Sequence, residues 1–450
     1  MSESVFVTGL GIVSPAGCGG GVTFSALAGG GRFIRRVDDP LIAGGEAVCA
    51  GQLPDFTPPA GTEYRDRVCQ LSVAAAEEAW AAAGLAEKSP PPPRVAVSFG
   101  TSKGGILAFA RVLDHLQPVL HPSTGLLVPG YATAQNYLRS EVFASDCRHV
   151  RGIQNYPHPE VFSSRSLQLL LSDVPPDAPA RALAARFGAA GDVHATVAAC
   201  ATGTLAVIRG VQMLLDGRAD VVLAGSADAS LHPLWFAAFR QIGVLAAEHP
   251  QRGPAWACRP FDATREGFAV SEGAAVLVLE SARSVRQRGA RPLARIRGYA
   301  MGGDPAGLTQ LRPDGVPLAR IAQIACDRAG VNPTGLAAIQ AHGTGTPAND
   351  PVEINAIRRL CGHAAAEIPV VSFKGALGHS LGAAGAVELA LAVLAIEHQT
   401  LPPNATLIEP DEALGEVCLP TIARELAPGA ILKTSMGFGG HIAAVVLDSP

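Results

Sequence analysis

The nine cysteines form no CxxC pair and no Cys/His spacing of a metal site, and their number is odd. Zinc modules are thereby excluded. A disulfide framework is not expected in so long a chain, and the thiols read as reduced, in a cytoplasmic protein. Charge is scarce as well. Asp, Glu, Lys and Arg make up 16% of the residues and the net charge is −4, which gives no support to a nucleic-acid partner. An acidic protein partner would need a local basic patch. The opening, "MSESVFVTGLG", lacks the basic and apolar regions of a secretory signal. The longest apolar run, "LGAAGAVELALAVLAI" (381–396), is short for a bilayer span and carries Glu388. It reads as a buried helix, and membrane insertion is not expected.

What the chain does have is apolar residues and backbone freedom. Hydrophobic residues are 48% of its 450 positions, with 50 glycines and 35 prolines. That length supports two or three domains and large cores. "SVFVTGLGIVSP" (4–15) reads as a buried strand and turn, and "QLSVAAAEEAWAAAGL" (70–85) as a helix. "SPPPP" (89–93) is a connector; 104–165 shows no sustained period and reads as irregular with short helices. From about 193 onward, strands alternate with helices to the C-terminal strand "AAVVLDS". The pattern predicts an α/β protein with layered sheets and helices, in two halves of similar order: 1–258 and 259–450.

Polar motifs stand just after strand ends, where α/β sheets bind ligands. Cys200 lies in "VAACATGT", between an apolar strand and a helix over about 202–215. A helix start lowers a thiol's pKa, yet free cysteines are among the most buried residues. The stretch alone fits a nucleophile and a buried filler equally. His342 opens "HGTGTPANDPVE", with Thr344, Thr346, Asp350 and Glu353 following; Lys374 and His379 frame "KGALGH"; "GFGGH" (437–441) is a glycine cluster. Each alone has a plain structural reading. Together, two histidines and a lysine at strand ends can present donors to developing negative charge. The lysine disfavours histidine protonation, and Glu353 is placed to hold the lysine.

With "GRADVVLAGSADA" and "RPFDATREGFAVSEGAAVLVLE" added, the motifs resemble, in order and over nearly the whole chain, the elongating β-ketoacyl-[acyl-carrier-protein] synthases. The resemblance implies a thiolase-like fold, layered α-β-α-β-α. It implies acyl transfer from a carrier protein to Cys200, then decarboxylative condensation with a malonyl thioester, in fatty-acid or polyketide synthesis. His342 and His379 match the histidines that bind the extender carbonyl; Lys374 and Glu353 match their supporting charged pair. Backbone N–H groups of Cys200 and Phe438 match an oxyanion hole, with Phe438 and Gly439 in the gating loop. Phe239 matches an aromatic beside the departing carboxylate, and Thr344 and Thr346 line a phosphopantetheine channel. Arg65 and Arg67 match a region near the carrier-docking surface, although they read equally as a solvated cluster. No metal and no cofactor of the protein's own is implied. Partners implied are an acyl carrier protein and a second chain, in a homodimer or in a heterodimer with a related ketosynthase-like chain. Leu377, Met436, His441 and Ile442 depart from the usual pattern, so the acyl pocket's shape does not carry over. The alternatives are a non-decarboxylating acyltransferase of the same superfamily, or a chain-length-setting partner subunit. Cys200 weighs against the second, since such subunits lack the nucleophile.

Overall fold

The computed structural model describes residues 4–86, 94–110 and 172–450. The connector at 89–93 and most of the irregular segment expected over 104–165 lie outside these residues. Ten strands build one sheet: β1 (Val5–Ser14), β2 (Val95–Gly100), β3 (Val193–Thr196), β4 (Val221–Asp228), β5 (Gly273–Ser281), β6 (Ala294–Gly303), β7 (Ala338–Gln340), β8 (Val370–Val371), β9 (Ile431–Gly437) and β10 (His441–Asp448). Their order across the sheet is β8-β7-β9-β10-β6-β1-β5-β4-β2-β3, with Gly17–Cys18 paired to β1.

This order is a repeat. In the first half, β1 runs antiparallel to β5, β5 antiparallel to β4, β4 parallel to β2, and β2 parallel to β3. In the second half, β6, β10, β9, β7 and β8 pair with the same senses in the same sequence. Both halves therefore have the chain-order pattern 3-2-4-5-1, and β1 meets β6 at their junction. Strand β5, which the expected boundary at 258 placed in the second half, is hydrogen-bonded to β1 and β4 of the first. The repeat boundary thus falls between Ser281 and Ala294.

Side-chain alternation explains the layers. Val222 and Ala224 join one core with Leu277 and Leu279, while Val221, Leu223, Val276 and Val278 join another on the opposite face. Helix α1 (Arg67–Ala82) covers that outer face in the first half; α2 (Thr202–Leu215) follows the elbow that holds Cys200; α3 (Pro233–Gln241) borders the cavity. In the second half α4 (Val316–Ala329) and α5 (Asn349–Cys361) pack with Val446 and Ala444 outside, and α6 (Ala384–His398) lies inside with Val445 and Leu447. The inner layer is α2 against α6. A Cβ on Gly203 would come 2.4 Å from Ala386 N, and one on Gly385 would come 2.4 Å from Thr204 Oγ1, so the two helices touch backbone to backbone. The stretch Leu381–His398 is apolar and long enough to cross a membrane, but 89% of it is buried inside the fold, as expected of a core helix.

Candidate active site

The α2–α6 crossing brings the N-terminal ends of the two helices together, and with them Cys200 and His379. Ala199 holds φ at 46°, a left-handed value that costs a non-glycine residue about 1–3 kcal/mol. The Thr202 hydroxyl locks this elbow: it accepts from Ala198 N at 2.8 Å and donates to Ala199 O at 2.7 Å. Leu381, two residues past His379, is likewise left-handed at φ 48°. Each of these residues thus has a strained neighbour fixed by tertiary contacts.

His379 Nε2 lies 3.2 Å from Cys200 Sγ. Leu381 N donates to its Nδ1 at 3.3 Å, which assigns the ring proton to Nε2 and aims it at the sulfur. The backbone is pinned as well: His379 N donates to Ala269 O at 2.7 Å, and His379 O accepts from Ser271 N at 3.0 Å. The His342 ring stands edge-on to His379, centroids 5.5 Å apart, and Phe268 meets His379 at 5.0 Å. Both histidines are buried. Burial, then Lys374, holds both rings well below the usual imidazole pKa; the other histidine adds to the effect on His342, Lys103 to that on His379. Both are neutral at physiological pH. His342 Nδ1 has no hydrogen-bond partner among the described residues.

The loop after β7 is held by α5's first turn. Glu353 accepts from His342 N at 2.6 Å and Gly343 N at 2.7 Å; Asp350 Oδ1 accepts from Thr344 N and Gly345 N, both at 3.1 Å. Glu353 also takes the Thr434 hydroxyl from β9 at 2.9 Å. The expected pairing of Glu353 with Lys374 is therefore corrected: Glu353's oxygens are committed to loop N–H groups, and Lys374 pairs with Glu388 on α6 at 2.5 Å while donating to His342 O. Lys433 on β9 reaches the other Glu388 oxygen at 2.8 Å. Lys374, Glu388 and Lys433 form a buried triad directly beneath His342.

A cavity of about 510 Å³ opens over Cys200; Phe239, Phe268, Thr344, Thr346 and Phe438 line it with both histidines. The Thr344 and Thr346 hydroxyls are 2.9 Å apart, and the Phe239 ring meets Phe268 edge-on at 5.6 Å. Gly437 packs on the nucleophile's elbow, where a Cβ would come 2.7 Å from Ala198 O and 3.2 Å from Cys200 N. Gly439, expected in the gating loop, has its N–H bound to Leu308 O at 2.7 Å. The expected lowering of the Cys200 pKa is also reversed: burial pushes the thiol up to about 11, against smaller pulls from Lys103 and Lys374. Arg65 and Arg67 do not present free charges either. Arg65 pairs with buried Asp173 at 2.7 Å; Arg67 binds Glu272 at 2.9 and 3.0 Å and stacks on Phe56. Their side chains stay partly exposed, at 32% and 22%. Of the departures, Met436 lines the cavity, Leu377 and Ile442 are buried and His441 is exposed.

Residues that sequence reasoning left out are Glu388, Lys433 and Lys103. A lone carboxylate in an apolar helix was the signal for the first. A lysine inside the apolar strand "AILKTSMG" was the signal for the second. For Lys103, in the glycine-flanked "GTSKGG", no signal separated it from a surface lysine.

Fold, cavity and paired halves define a condensing acyltransferase of the thiolase fold, and the comparisons agree. The family description "Beta-ketoacyl synthase, N-terminal domain" matches residues 143–284, and "Beta-ketoacyl synthase, C-terminal domain" matches 293–407. A tetracenomycin polyketide synthase ketoacyl synthase alpha subunit from Streptomyces glaucescens is 34% identical, over 100% of this chain and 97% of its own. The 3-oxoacyl-[acyl-carrier-protein] synthase 2 of Rhizobium meliloti is 31% identical, over 98% of each. A solved structure of a type II polyketide acyl-carrier protein with its ketosynthase superposes at a TM-score of 0.81 and 27% identity, covering both chains fully. The chain belongs to the β-ketoacyl synthase family. It is an enzyme, and its reaction class is carbon–carbon condensation between acyl thioesters.

Proposed function

We propose that the chain is the catalytic condensing subunit of a carrier-protein-dependent polyketide pathway in the cytoplasm. The observation that carries this is Cys200 at a strained elbow, with the protonated His379 Nε2 at 3.2 Å from its sulfur. A silent chain-length-setting subunit has no use for that contact.

Cys200 attacks the carbonyl of an acyl-carrier thioester, and its proton leaves on the released phosphopantetheine thiol. Because the thiol is pushed up, the His379 N–H has to stabilise the sulfur's developing charge during attack. N–H groups at the Cys200 elbow and at Phe438 receive the tetrahedral oxyanion. A malonyl thioester, its arm lying along Thr344 and Thr346, then loses CO₂ beside Phe239. The electron pair of the broken C–C bond enters the enolate. Neutral His342 and His379 donate to the enolate oxygen, each worth about 2.7–4 kcal/mol in a dry site. The nucleophilic carbon attacks the acyl-Cys200 carbonyl and expels the thiolate, giving a 3-oxoacyl thioester two carbons longer. The protein supplies position and hydrogen bonds, and the sequence of steps consumes no redox equivalent. Lys374, Glu388 and Lys433 fix the His342 backbone; Glu353 and Asp350 fix its loop.

The relatives support the pathway, and a solved ketosynthase/chain length factor at 29% identity and TM-score 0.80 supports a related partner chain. The test is incubation with an acyl-carrier thioester and then malonyl-carrier, read by mass spectrometry of the carrier. A 3-oxoacyl carrier two carbons longer is expected. An acylated enzyme that never yields it would make the chain a plain acyltransferase.

A further inference from the structure

A cation stands in the wall of the acyl cavity. Lys103 follows β2 in "GTSKGG", is 12% exposed at its side chain, and lines the same cavity as Cys200. Its ammonium lies 4.8 Å from the centre of the Trp235 ring and 5.8 Å from that of Phe239, within cation–π range. The aromatic pair on α3 thus holds the ammonium at the cavity surface.

Its hydrogen bonds to the described residues are incomplete. An ammonium has three donors. One goes to Ser102 Oγ at 2.7 Å. Asp228 is 3.8 Å away, beyond hydrogen-bond length, and already accepts from the Ser102 hydroxyl, the Ser230 hydroxyl and Gly382 N. No other acceptor for Lys103 occurs among the described residues. A saturated chain filling this cavity would displace water from the remaining N–H groups and give nothing back. A chain with an oxygen in that position would satisfy them. Sites built to hydrogen-bond a substrate atom discriminate strongly against analogues that lack it.

We propose that Lys103 is a specificity residue, selecting acyl chains that carry a carbonyl or carboxylate oxygen a few atoms beyond the thioester over saturated chains of equal length. The proposal rests on Cys200 as the acylated residue. The test measures acylation rates of the full chain, by intact-protein mass spectrometry, with pantetheine thioesters of hexanoate, 3-oxohexanoate, 5-oxohexanoate and adipate. At least one oxygenated chain loads about ten-fold faster than hexanoate or more, the size of one hydrogen bond to a charged group. Preference for adipate identifies charge pairing; preference for a ketone identifies hydrogen bonding. Lys103→Met lowers that ratio by the same factor, the ratio being read within one variant so that any change in the absolute rate at Cys200 cancels, and Lys103→Arg retains the preference. The proposal is overturned if hexanoate loads as fast as every oxygenated chain, or if Lys103→Met keeps the wild-type ratio. If no thioester of any kind acylates Cys200, the condensing assignment itself fails.

Discussion

Replacing Glu388 with glutamine removes the single negative charge that two buried lysines share. Lys374 Nζ is 2.5 Å from Oε1 and Lys433 Nζ is 2.8 Å from Oε2, with side-chain exposures of 1%, 0% and 4% for the two lysines and the glutamate. Removing one partner of a buried pair costs about 3–5 kcal/mol, because the remaining charge is left uncompensated. Here two charges are orphaned, but the loss has a ceiling. Burial already lowers the Lys433 pKa and Glu388 opposes that shift, so losing the carboxylate moves this lysine further toward its neutral form. We therefore expect Glu388→Gln to destabilise by about 3–5 kcal/mol rather than twice that. Adding Lys433→Met removes one of the orphans, and the double variant should recover about 1–3 kcal/mol relative to the sum of the singles. Urea unfolding followed by circular dichroism measures all three. A cost below about 1 kcal/mol for Glu388→Gln, or strictly additive effects, would refute the triad as a coupled charge unit.

Three further outcomes follow from the geometry. His342→Ala should leave acylation of Cys200 intact and lower condensation by about 10²–10³, the loss of one oxyanion donor; His379→Ala should slow acylation too, since its ring touches the sulfur, and equal behaviour of both variants in single-turnover assays would contradict the assignment. With the thiol raised to about 11, iodoacetamide alkylation of Cys200 should climb about ten-fold per pH unit from 7 to 10, and a plateau below pH 8 would show that the helix start and His379 outweigh burial. Because both histidines are held below their ordinary value of 6.5, the unfolded chain binds protons that the folded one refuses; their stabilisation is complete above that value and falls by about 1.4 kcal/mol per histidine per pH unit below it. Asp350, raised to about 6, acts in the opposite sense between its ordinary value and 6, so urea midpoints should fall most steeply just below pH 6.5.

Much of the fold was legible because its strands are short apolar runs closed by glycine, and because the motif residues sit at strand ends. Cys200, His342 and His379 come from three separate loops, yet each lies where a layered α/β sheet opens to ligand. The repeat boundary was misplaced because "AAVLVLE" reads as a strand without revealing its neighbours; only pairing with β1 and β4 assigns it to the first half. Charge partners were the least legible. Nothing local distinguishes Glu353, which caps backbone N–H groups, from Glu388, which neutralises lysines. The partner of Lys374 lies on another element, and so does that of Arg67. The thiol pKa was misjudged for a related reason: a helix start is visible in sequence, and the depth at which it is buried is not.

The central claim is that Cys200 carries the growing chain. Intact-protein mass spectrometry after incubation with an acyl-carrier thioester tests it directly, comparing the wild type with Cys200→Ala. The account predicts one acyl adduct on the wild type, mapped to the peptide containing Cys200, and none on the folded variant. An adduct that persists in Cys200→Ala, on any of the other eight cysteines, would contradict it.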